Sequence, residues 1–270
     1  MAHPEGRARS VWRMDVSVGF FSFTEVTDPR SHRAYNAWHQ LDHMPEQYPL
    51  AGVVHGERWV CTPACRTARL VDGDLLAPVH YLTLYLMGEP VDETLAAFRA
   101  LGERLRAQGR FHRRRRARLS GPFEVTAARA APRVLVSDEA VAFRPNRGVY
   151  VVVREPAGPP GSAPGPAVAA AGGGDAPLHP LAAALLGGPG VAGVWTFASG
   201  ERAERHGWRS GDSDVTLCFL DEEPLEVAPV LGSVVAASPP GGRTTVFAGP
   251  FETITPWCWD WFEPGVRPGR

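Results

Sequence analysis

The sequence predicts an α+β fold in which a β-α-β-β-α-β unit occurs twice along the 270-residue chain. Two observations support this prediction. Segments with strand-like alternation and segments with helical spacing follow one another in the same order in both halves of the chain. In addition, Gly-Pro-Phe-Glu at residues 121–124, near the end of the first half, recurs at residues 249–252, near the end of the second. Two copies of one unit are the simplest explanation.

The first half contains the six segments of one unit. Asp28 and Pro29 begin a helix as N-cap and first helical residue, and Pro45 ends it near His43. In residues 80–86 leucines alternate with Tyr81, Thr83 and Tyr85, so the two sets should face opposite sides of a sheet. The predicted strands are residues 15–23, 53–60, 80–86 and 119–126, and the predicted helices are residues 28–43 and 89–109.

The second half repeats this order with one insertion. Its predicted strands begin at residues 148, 191, 214 and 244, and its predicted helices are residues 178–186 and a segment that starts at residue 224. Residues 157–177 are dominated by Pro, Gly and Ala and should form a flexible excursion. We therefore divide the chain into a first unit (1–133, the active copy), a connector (134–147), a second unit (148–262) and a tail (263–270).

Each unit would be a four-stranded antiparallel sheet with two helices on one face, which is the ferredoxin-like arrangement. Such a sheet leaves its other face bare, and two copies in one chain can cover each other. The prediction is therefore an intrachain pseudo-dimeric α+β barrel with its helices outside.

Composition describes an ordinary soluble globular protein, with 44% hydrophobic residues, 21% charged residues and a net charge of −1. This balance gives no reason to expect a nucleic-acid or membrane partner. No window is apolar enough for a membrane span and the N-terminus lacks an apolar signal region, so we expect a cytoplasmic protein. All 28 basic residues are Arg, which excludes a Schiff-base lysine. The four cysteines are too few and too scattered for a disulfide framework or a zinc site.

The arginine run at residues 113–116 raises the possibility of nucleic-acid binding. It lacks interleaved aromatic residues and belongs to a chain without net positive charge. We interpret it as a solvated edge or an entry that attracts anionic substrates. The aromatic segment at residues 257–262 should pack on the barrel, close a pocket or lie in an oligomer interface, and a homodimer is one possibility.

The first helix carries the residues with the most chemistry. Ala34, Trp38 and Leu41 fall on one stripe at 100° per residue, and Tyr35, His39 and Asp42 fall on the adjoining one. Three interpretations of the histidines stay open. His43 could cap the helix while His39 is half buried. His39, Asp42 and His43 could face a pocket and transfer protons. His39 and His43 could also bind a metal at i, i+4 spacing, although no third ligand is evident and we predict no metal site.

A Trp at 38, His-Met-Pro-Glu at 43–46, Leu-Ala-Gly-Val at 50–53 and Arg-Trp at 58–59 together resemble the dimeric α+β barrel superfamily, in particular its EthD-like branch. Antibiotic-biosynthesis monooxygenases and small polyketide cyclases share that fold. The resemblance implies cofactor-free chemistry on small aromatic or polyketide-derived molecules, in a cavity between sheet and helices. His43 matches the histidine of the motif, whereas the short helix of the second copy has no Trp, His or acid in the corresponding place.

From these observations we predict a cofactor-independent enzyme of secondary metabolism, of the lyase, cyclase or isomerase type, with a small molecule as its partner. His43 would be the general base, with His39 and Asp42 as orienting or relaying groups. Dehydration, cyclisation or isomerisation of the substrate would follow. The predicted substrate-binding residues are Tyr35, Trp38, His55, Arg58, Tyr81 and Tyr85, with Arg58 as the anion clamp.

Two alternatives stay open from the sequence. The first is a monooxygenase that uses the same pocket, either without a cofactor or with haem. A haem or a single metal ion is not excluded, and His39, His43 or His55 would then be its ligand. The second is a barrel that binds a ligand without changing it.

Overall fold

The computed structural model describes residues 16–158, 176–208, 211–239 and 241–263. Most of the predicted insertion at 157–177 and of the predicted tail lies outside the described residues. The described strands are β1 Val18–Val26, β2 Val53–Val60, β3 Val71–Asp72, β4 Tyr81–Met87, β5 Arg115–Ala130, β6 Gly148–Pro156, β7 Val191–Ala198, β8 Asp214–Leu220 and β9 Arg243–Thr253. The α-helices are α1 His32–Trp38, α2 Pro63–Thr67, α3 Val91–Ala107, α4 Pro180–Leu186, α5 Glu201–Arg205 and α6 Pro224–Ala237.

The described strands form one antiparallel sheet in the order β2-β4-β1-β5-β7-β8-β6-β9-β3. β2 also pairs with β9, through Trp59 opposite Thr253, so eight of these strands close into a ring. The prediction of a mixed α+β protein with a large antiparallel sheet is confirmed. The sequence predicts none of the short elements α2, β3 and α5, because with 5, 2 and 5 residues they are too short for a periodic pattern.

The two halves place corresponding strands in corresponding positions. In chain order, each half contributes its second, third, first and fourth main strands to the sheet, as β2-β4-β1-β5 and as β7-β8-β6-β9. The recurring Gly-Pro-Phe-Glu lies in the last strand of each half, opposite the first strand. Pro122 is opposite Phe20, and Pro250 is opposite Tyr150.

The inside of the ring is an apolar core to which both halves contribute. The ring of Phe21 contacts those of Phe123 and Phe197 there, with centroid distances of 5.5 and 4.9 Å. The alternation in β4 is confirmed, because Leu82, Leu84 and Leu86 belong to this core. Tyr81, Thr83 and Tyr85 point to the other face, toward the helices.

Close packing in this core leads to a stability prediction at Gly19. A Cβ atom there would lie 2.7 Å from Cε1 of Phe197, whose ring is fully buried. We expect Gly19→Ala to lower the free energy of unfolding by about 1–3 kcal/mol, because the ring has no space to move into. Urea denaturation measures this. Gly102→Ala is the control, since nothing lies within 4 Å of that position on α3 and alanine favours a helix. Equal stability of the two variants would contradict the packing argument.

The outer faces of the two halves differ. In the second half, α4 and α6 cover the sheet with an apolar cluster that includes Leu181, Leu185, Leu231, Val152 and Val194. In the first half, α3 packs on part of the face through Val91 and Leu95, and an open cavity remains beside it. Within the described residues, no helix is long and apolar enough to cross a membrane.

The histidine-bearing helix begins and ends where the sequence predicted. Asp28 caps a 3₁₀ turn at Pro29–Ser31, α1 follows, and the last turn is a π-helix at His39–His43. The predicted apolar stripe is wrong, because Ala34 is exposed and Leu41 is 50% exposed. In the π-turn the amide of Met44 donates to the carbonyl of His39, which adds a residue to the turn and shifts the angular spacing. The residues that are buried instead, Tyr35 and Asn36 in α1 and His39 and His43 in the π-turn, give the buried side of the helix its polar character.

Candidate active site

A cavity of about 360 Å³ lies between the outer face of the first half's sheet and the helices that cover it. The strands β1, β4 and β5 form its floor, and the π-turn, α3 and the segment after α5 form its walls. Its lining residues are Phe20, Ser22, His39, His43, Gln47, Thr83, Tyr85, Phe98, Arg99, Gly102, Glu103, Arg106, Phe111, Arg115, Ala117, Ser120, Gly207 and Trp208. This size is within the range of small-molecule sites.

His43 is held in this cavity by aromatic rings. Its imidazole stacks on Trp38 with a centroid distance of 4.6 Å and meets the edge of Phe111 at 5.1 Å. The residue is only 8% exposed, and its Nδ1 has no hydrogen-bond partner among the described residues. Burial lowers the pKa of His43 to about 3, and the charge of Arg115 contributes to this shift. At neutral pH His43 is therefore an uncharged imidazole.

His39 lies next to His43 in the same cavity, with ring centroids 5.2 Å apart. Its Nε2 is 3.4 Å from the hydroxyl of Thr83, and its Nδ1 has no hydrogen-bond partner in the described part of the chain. Burial lowers the pKa of His39 well below its ordinary value, and the charge of Arg58 lowers it further. The structure thus brings two neutral imidazoles to one cavity.

Arg115 is a cavity residue that sequence reasoning missed. Its guanidinium lies over the ring of Phe111 at 4.8 Å and over Trp38 at 5.7 Å, and it forms no ion pair with the described residues. Burial lowers its pKa. The signal that could have found it is strand periodicity, because Arg115 and Ala117 lie on the cavity side of β5. The predicted strand begins at residue 119, so the sequence places the arginine run at a solvated edge or a substrate entry and not on the floor of the cavity.

Asp42 does not face the histidines. Its carboxylate accepts a 2.6 Å hydrogen bond from Nη2 of Arg110, which also donates to Glu46 at 2.7 Å. The carbonyl of Arg110 in turn accepts from the indole of Trp38 at 2.6 Å. Asp42 therefore anchors the segment after α3, and the orienting role predicted for it has no contact in the described structure.

The predicted anion clamp, Arg58, lies behind the cavity and does not line it. It is 4% exposed, and its Nη2 donates to Oδ1 of Asn36 at 2.9 Å. The amide of Asn36 donates to the hydroxyl of Tyr81 at 2.9 Å. Tyr35 lies in this layer as well, with its ring 4.8 Å from that of Tyr81. None of these side chains lines the cavity, because they contact one another behind its wall. The guanidinium of Arg58 lies over the rings of Tyr35 and Tyr81.

Tyr85 and Trp38 are nearer to their predicted positions. The hydroxyl of Tyr85 is buried in the cavity wall and has no hydrogen-bond partner among the described residues, and burial raises its pKa. Trp38 does not line the cavity itself, but its indole stacks on the ring of His43, which does. His55 is elsewhere, against Phe143 at 5.1 Å and Glu57 at 3.6 Å, so it does not line the cavity.

No group of three or more His, Cys, Asp or Glu side chains in the described parts of the chain is placed to hold a metal ion. His39 and His43 each offer one ring nitrogen without a partner.

No protein-family model matches the chain, and no curated protein matches it significantly. Among solved structures, a candidate chlorite dismutase is similar over 92% of this chain and 97% of its own, with a TM-score of 0.50 and 9% identity. Two further structures have lower TM-scores. One is an anthrone oxidase-like protein, with a TM-score of 0.40, 11% identity and coverage of 89% of this chain and 92% of its own. The other is a candidate monooxygenase from Lactobacillus acidophilus, with a TM-score of 0.38, 5% identity and coverage of 89% and 95%. The first likeness shows a shared fold and nothing further.

Proposed function

We propose that this protein is an enzyme that transfers a proton on a small anionic aromatic substrate, without a cofactor, in the cavity of the first half. The observation that supports the proposal is the pair of neutral imidazoles, His39 and His43, in an aromatic cavity that also contains Arg115. A polyketide-derived compound of secondary metabolism belongs to this substrate class. Dehydration, cyclisation and isomerisation of such compounds can each begin by removal of a proton next to a carbonyl group.

The side chains divide into three roles. His43 takes the proton as general base, and His39, whose ring is 5.2 Å away, receives or returns it. The unpartnered hydroxyl of Tyr85 donates to the substrate oxygen on which negative charge develops. Arg115 binds the anionic group of the substrate, which is the role that the sequence predicted for Arg58.

In this scheme the negative charge of the substrate raises the pKa of His43. An imidazole with a pKa of about 3 is a weak base, since a general base works best with a pKa near the working pH. The charge of Arg115 is one cause of that low value. An anion bound against Arg115 cancels this charge, so the pKa of His43 rises when the substrate is in place.

This argument predicts that Arg115→Gln raises the pKa of His43 in the free protein and weakens the binding of aromatic anions. The pH at which His43 begins to take up a proton, followed by imidazole NMR over the range in which the protein stays folded, measures the first effect. Ligand titration measures the second. Arg99→Gln is the matched control, because Arg99 also lines the cavity but pairs with Glu103 at the surface. An unchanged pKa of His43 in Arg115→Gln would contradict the charge argument.

Phenylpyruvate is a suitable probe of the proposed function. It carries an aromatic ring, a carboxylate and an acidic methylene next to a ketone, and absorbance follows its keto–enol interconversion. We expect the protein to bind it with a shift of the His43 signals and to accelerate the interconversion above the buffer rate. Binding without acceleration would support the non-catalytic barrel instead.

An oxygen-using reaction is the second candidate. The aromatic lining of the cavity favours it, because a substrate anion formed by His43 would meet molecular oxygen away from water. An oxygen electrode distinguishes the two reactions, since isomerisation, dehydration and cyclisation consume no oxygen. The absorption spectrum of the purified protein tests for haem.

We also infer that the halves are two copies of one ferredoxin-like unit, paired within one chain, and that the first copy is of the EthD-like type. The equal strand order and the equal placement of Gly-Pro-Phe-Glu support the duplication. The apolar filling of the second half's outer face supports a structural role for the second copy.

A further inference from the structure

A second cavity, of about 520 Å³, opens where the start of the histidine-bearing helix, α2 and the C-terminal aromatic segment meet. It shares no lining residue with the candidate active site. Its lining residues are Val26, Thr27, Pro29, His32, Pro63, Arg66, Thr67, His80 and Phe262. No Asp or Glu is among them, whereas two imidazoles and a guanidinium are.

The hydrogen bonds of His32 determine which of its nitrogens carries the proton. Asn36 donates to the hydroxyl of Tyr81, and that hydroxyl is 2.8 Å from Nδ1 of His32. The hydroxyl of Tyr81 can therefore donate its hydrogen to Nδ1 of His32. Both donors, the amide of Asn36 and the hydroxyl of Tyr81, then have an acceptor. Because burial lowers the pKa of His32 to about 4, the ring is neutral and its own proton is on Nε2, on the far side from Tyr81.

His80 has the same arrangement. The amide of Val26 donates to Nδ1 of His80 at 3.2 Å, so the proton of the neutral ring is on Nε2. Nη1 of Arg66 lies 3.2 Å from that Nε2. Both nitrogens then carry hydrogen, and two donors face each other without an acceptor. An oxygen atom placed between them would accept from both.

The surroundings of these donors favour an anion with an apolar part. The positive charge of Arg66 acts on both rings, because it adds to the effect of burial in lowering the pKa of His32 and of His80. The charge of Asp28 also acts on His32, but its carboxylate already accepts hydrogen bonds from Arg30. Phe262 stacks on His32 at 3.8 Å, and Val26, Pro29 and Pro63 complete an apolar wall.

We propose that this cavity binds a small organic oxyanion, a carboxylate or a phosphate on an apolar group, through the Nε2 hydrogens of His32 and His80 and the guanidinium of Arg66. The site is separate from the proposed catalytic cavity and does not depend on the proposed function. Its ligand contacts would be charge-assisted hydrogen bonds, which are among the stronger polar contacts in proteins.

The test uses the full chain with ¹⁵N-labelled histidine and three probes: benzoate, phenyl phosphate and inorganic phosphate. Imidazole NMR signals of His32 and His80 report this site, and those of His39 and His43 report the other. Both His32 and His80 should show the Nε2–H tautomer in the free protein. Saturable shifts of these two residues with benzoate or phenyl phosphate, larger than with inorganic phosphate, are expected, and the preferred probe distinguishes a carboxylate from a phosphate ligand.

Arg66→Gln should weaken this binding by about tenfold or more, which corresponds to the loss of one charge-assisted contact. Arg104→Gln is the matched control, because it removes the same charge from an exposed position on α3 that lines neither cavity. His43→Ala should leave the binding unchanged, which separates this proposal from the proposed function. The Nδ1–H tautomer at His80, absence of shifts at His32 and His80, or equal affinity in Arg66→Gln would overturn the proposal.

Discussion

Replacing His43 with alanine is expected to slow proton transfer on phenylpyruvate by about 10²- to 10⁴-fold, which is the usual contribution of a positioned general base. The imidazole is the group in the cavity that is neutral, stacked on Trp38 and provided with an unpartnered nitrogen. The affinity for the probe should change little, because Arg115 and the aromatic walls remain. The turnover rate and the dissociation constant are measured on the same preparations.

The control for this substitution is His55→Ala, which removes an imidazole outside the cavity and should leave the rate unchanged. His43→Gln keeps a polar side chain of similar size and separates lost chemistry from lost packing. Retained turnover in both His43 variants would exclude His43 as the base and would direct attention to His39. A slow enzyme with unchanged affinity is the outcome that supports the proposal.

Much of the fold could be predicted because local periodicity in the sequence shows which segments form strands and helices. β2 and β8 have the predicted bounds, and the leucines of β4 face the core as their alternation required. α3 ends before Gly109, whose φ of 71° suits glycine. Closure of the ring through Trp59 and Thr253 involves residues far apart in the chain, and only the repeat suggested it.

The candidate site was predicted in part, for a physical reason. His39, His43 and Tyr85 face the cavity because helical and strand spacing placed them on inward faces. Asp42 was misassigned because its partner, Arg110, lies in a distant segment that no spacing rule connects to it.

Two further errors at the site have physical causes. The predicted apolar stripe faces solvent because the other side of the helix is held against the sheet by polar contacts, in which His32 and Asn36 hydrogen-bond with the hydroxyl of Tyr81. Arg115 was missed since a run of arginines has the composition of a surface, although alternate members of a strand face opposite sides.

Acid should unfold this protein between pH 6.5 and about 4. His32 and His179 have pKa values lowered to about 4, and His43 and His80 have values lowered to about 3, in each case mainly by burial. The unfolded chain binds protons at these imidazoles near pH 6.5, whereas the folded chain does not. A lowered folded-state pKa therefore leaves stability complete above pH 6.5 and removes it progressively as the pH falls toward the folded values.

The size of the effect at pH 5 does not depend on the folded pKa values, provided that they lie well below 5. Each of the four histidines then lowers the free energy of unfolding by about 2 kcal/mol. The reason is that pH 5 lies roughly 1.5 units below the unfolded-state pKa, and each unit corresponds to about 1.36 kcal/mol. Their sum approaches the whole stability of a typical domain, about 5–15 kcal/mol. Urea denaturation at pH 7.5 and pH 5 should show this loss. Unfolding at pH 5 should take up about five protons per chain, four at these imidazoles and one at His39, whose pKa burial also lowers.

His43→Gln tests the assignment of this effect to individual residues. It removes one buried imidazole, so the difference in unfolding free energy between pH 7.5 and pH 5 should shrink by about 2 kcal/mol and the proton uptake by about one. The same folded-state neutrality makes His43 available as a base, so the acid sensitivity and the proposed catalysis have one physical origin, the burial of imidazoles without a carboxylate partner. Equal stability of the wild-type protein at the two pH values would show that these imidazoles titrate normally, and it would contradict the lowered pKa of His43 from which the role of Arg115 was argued.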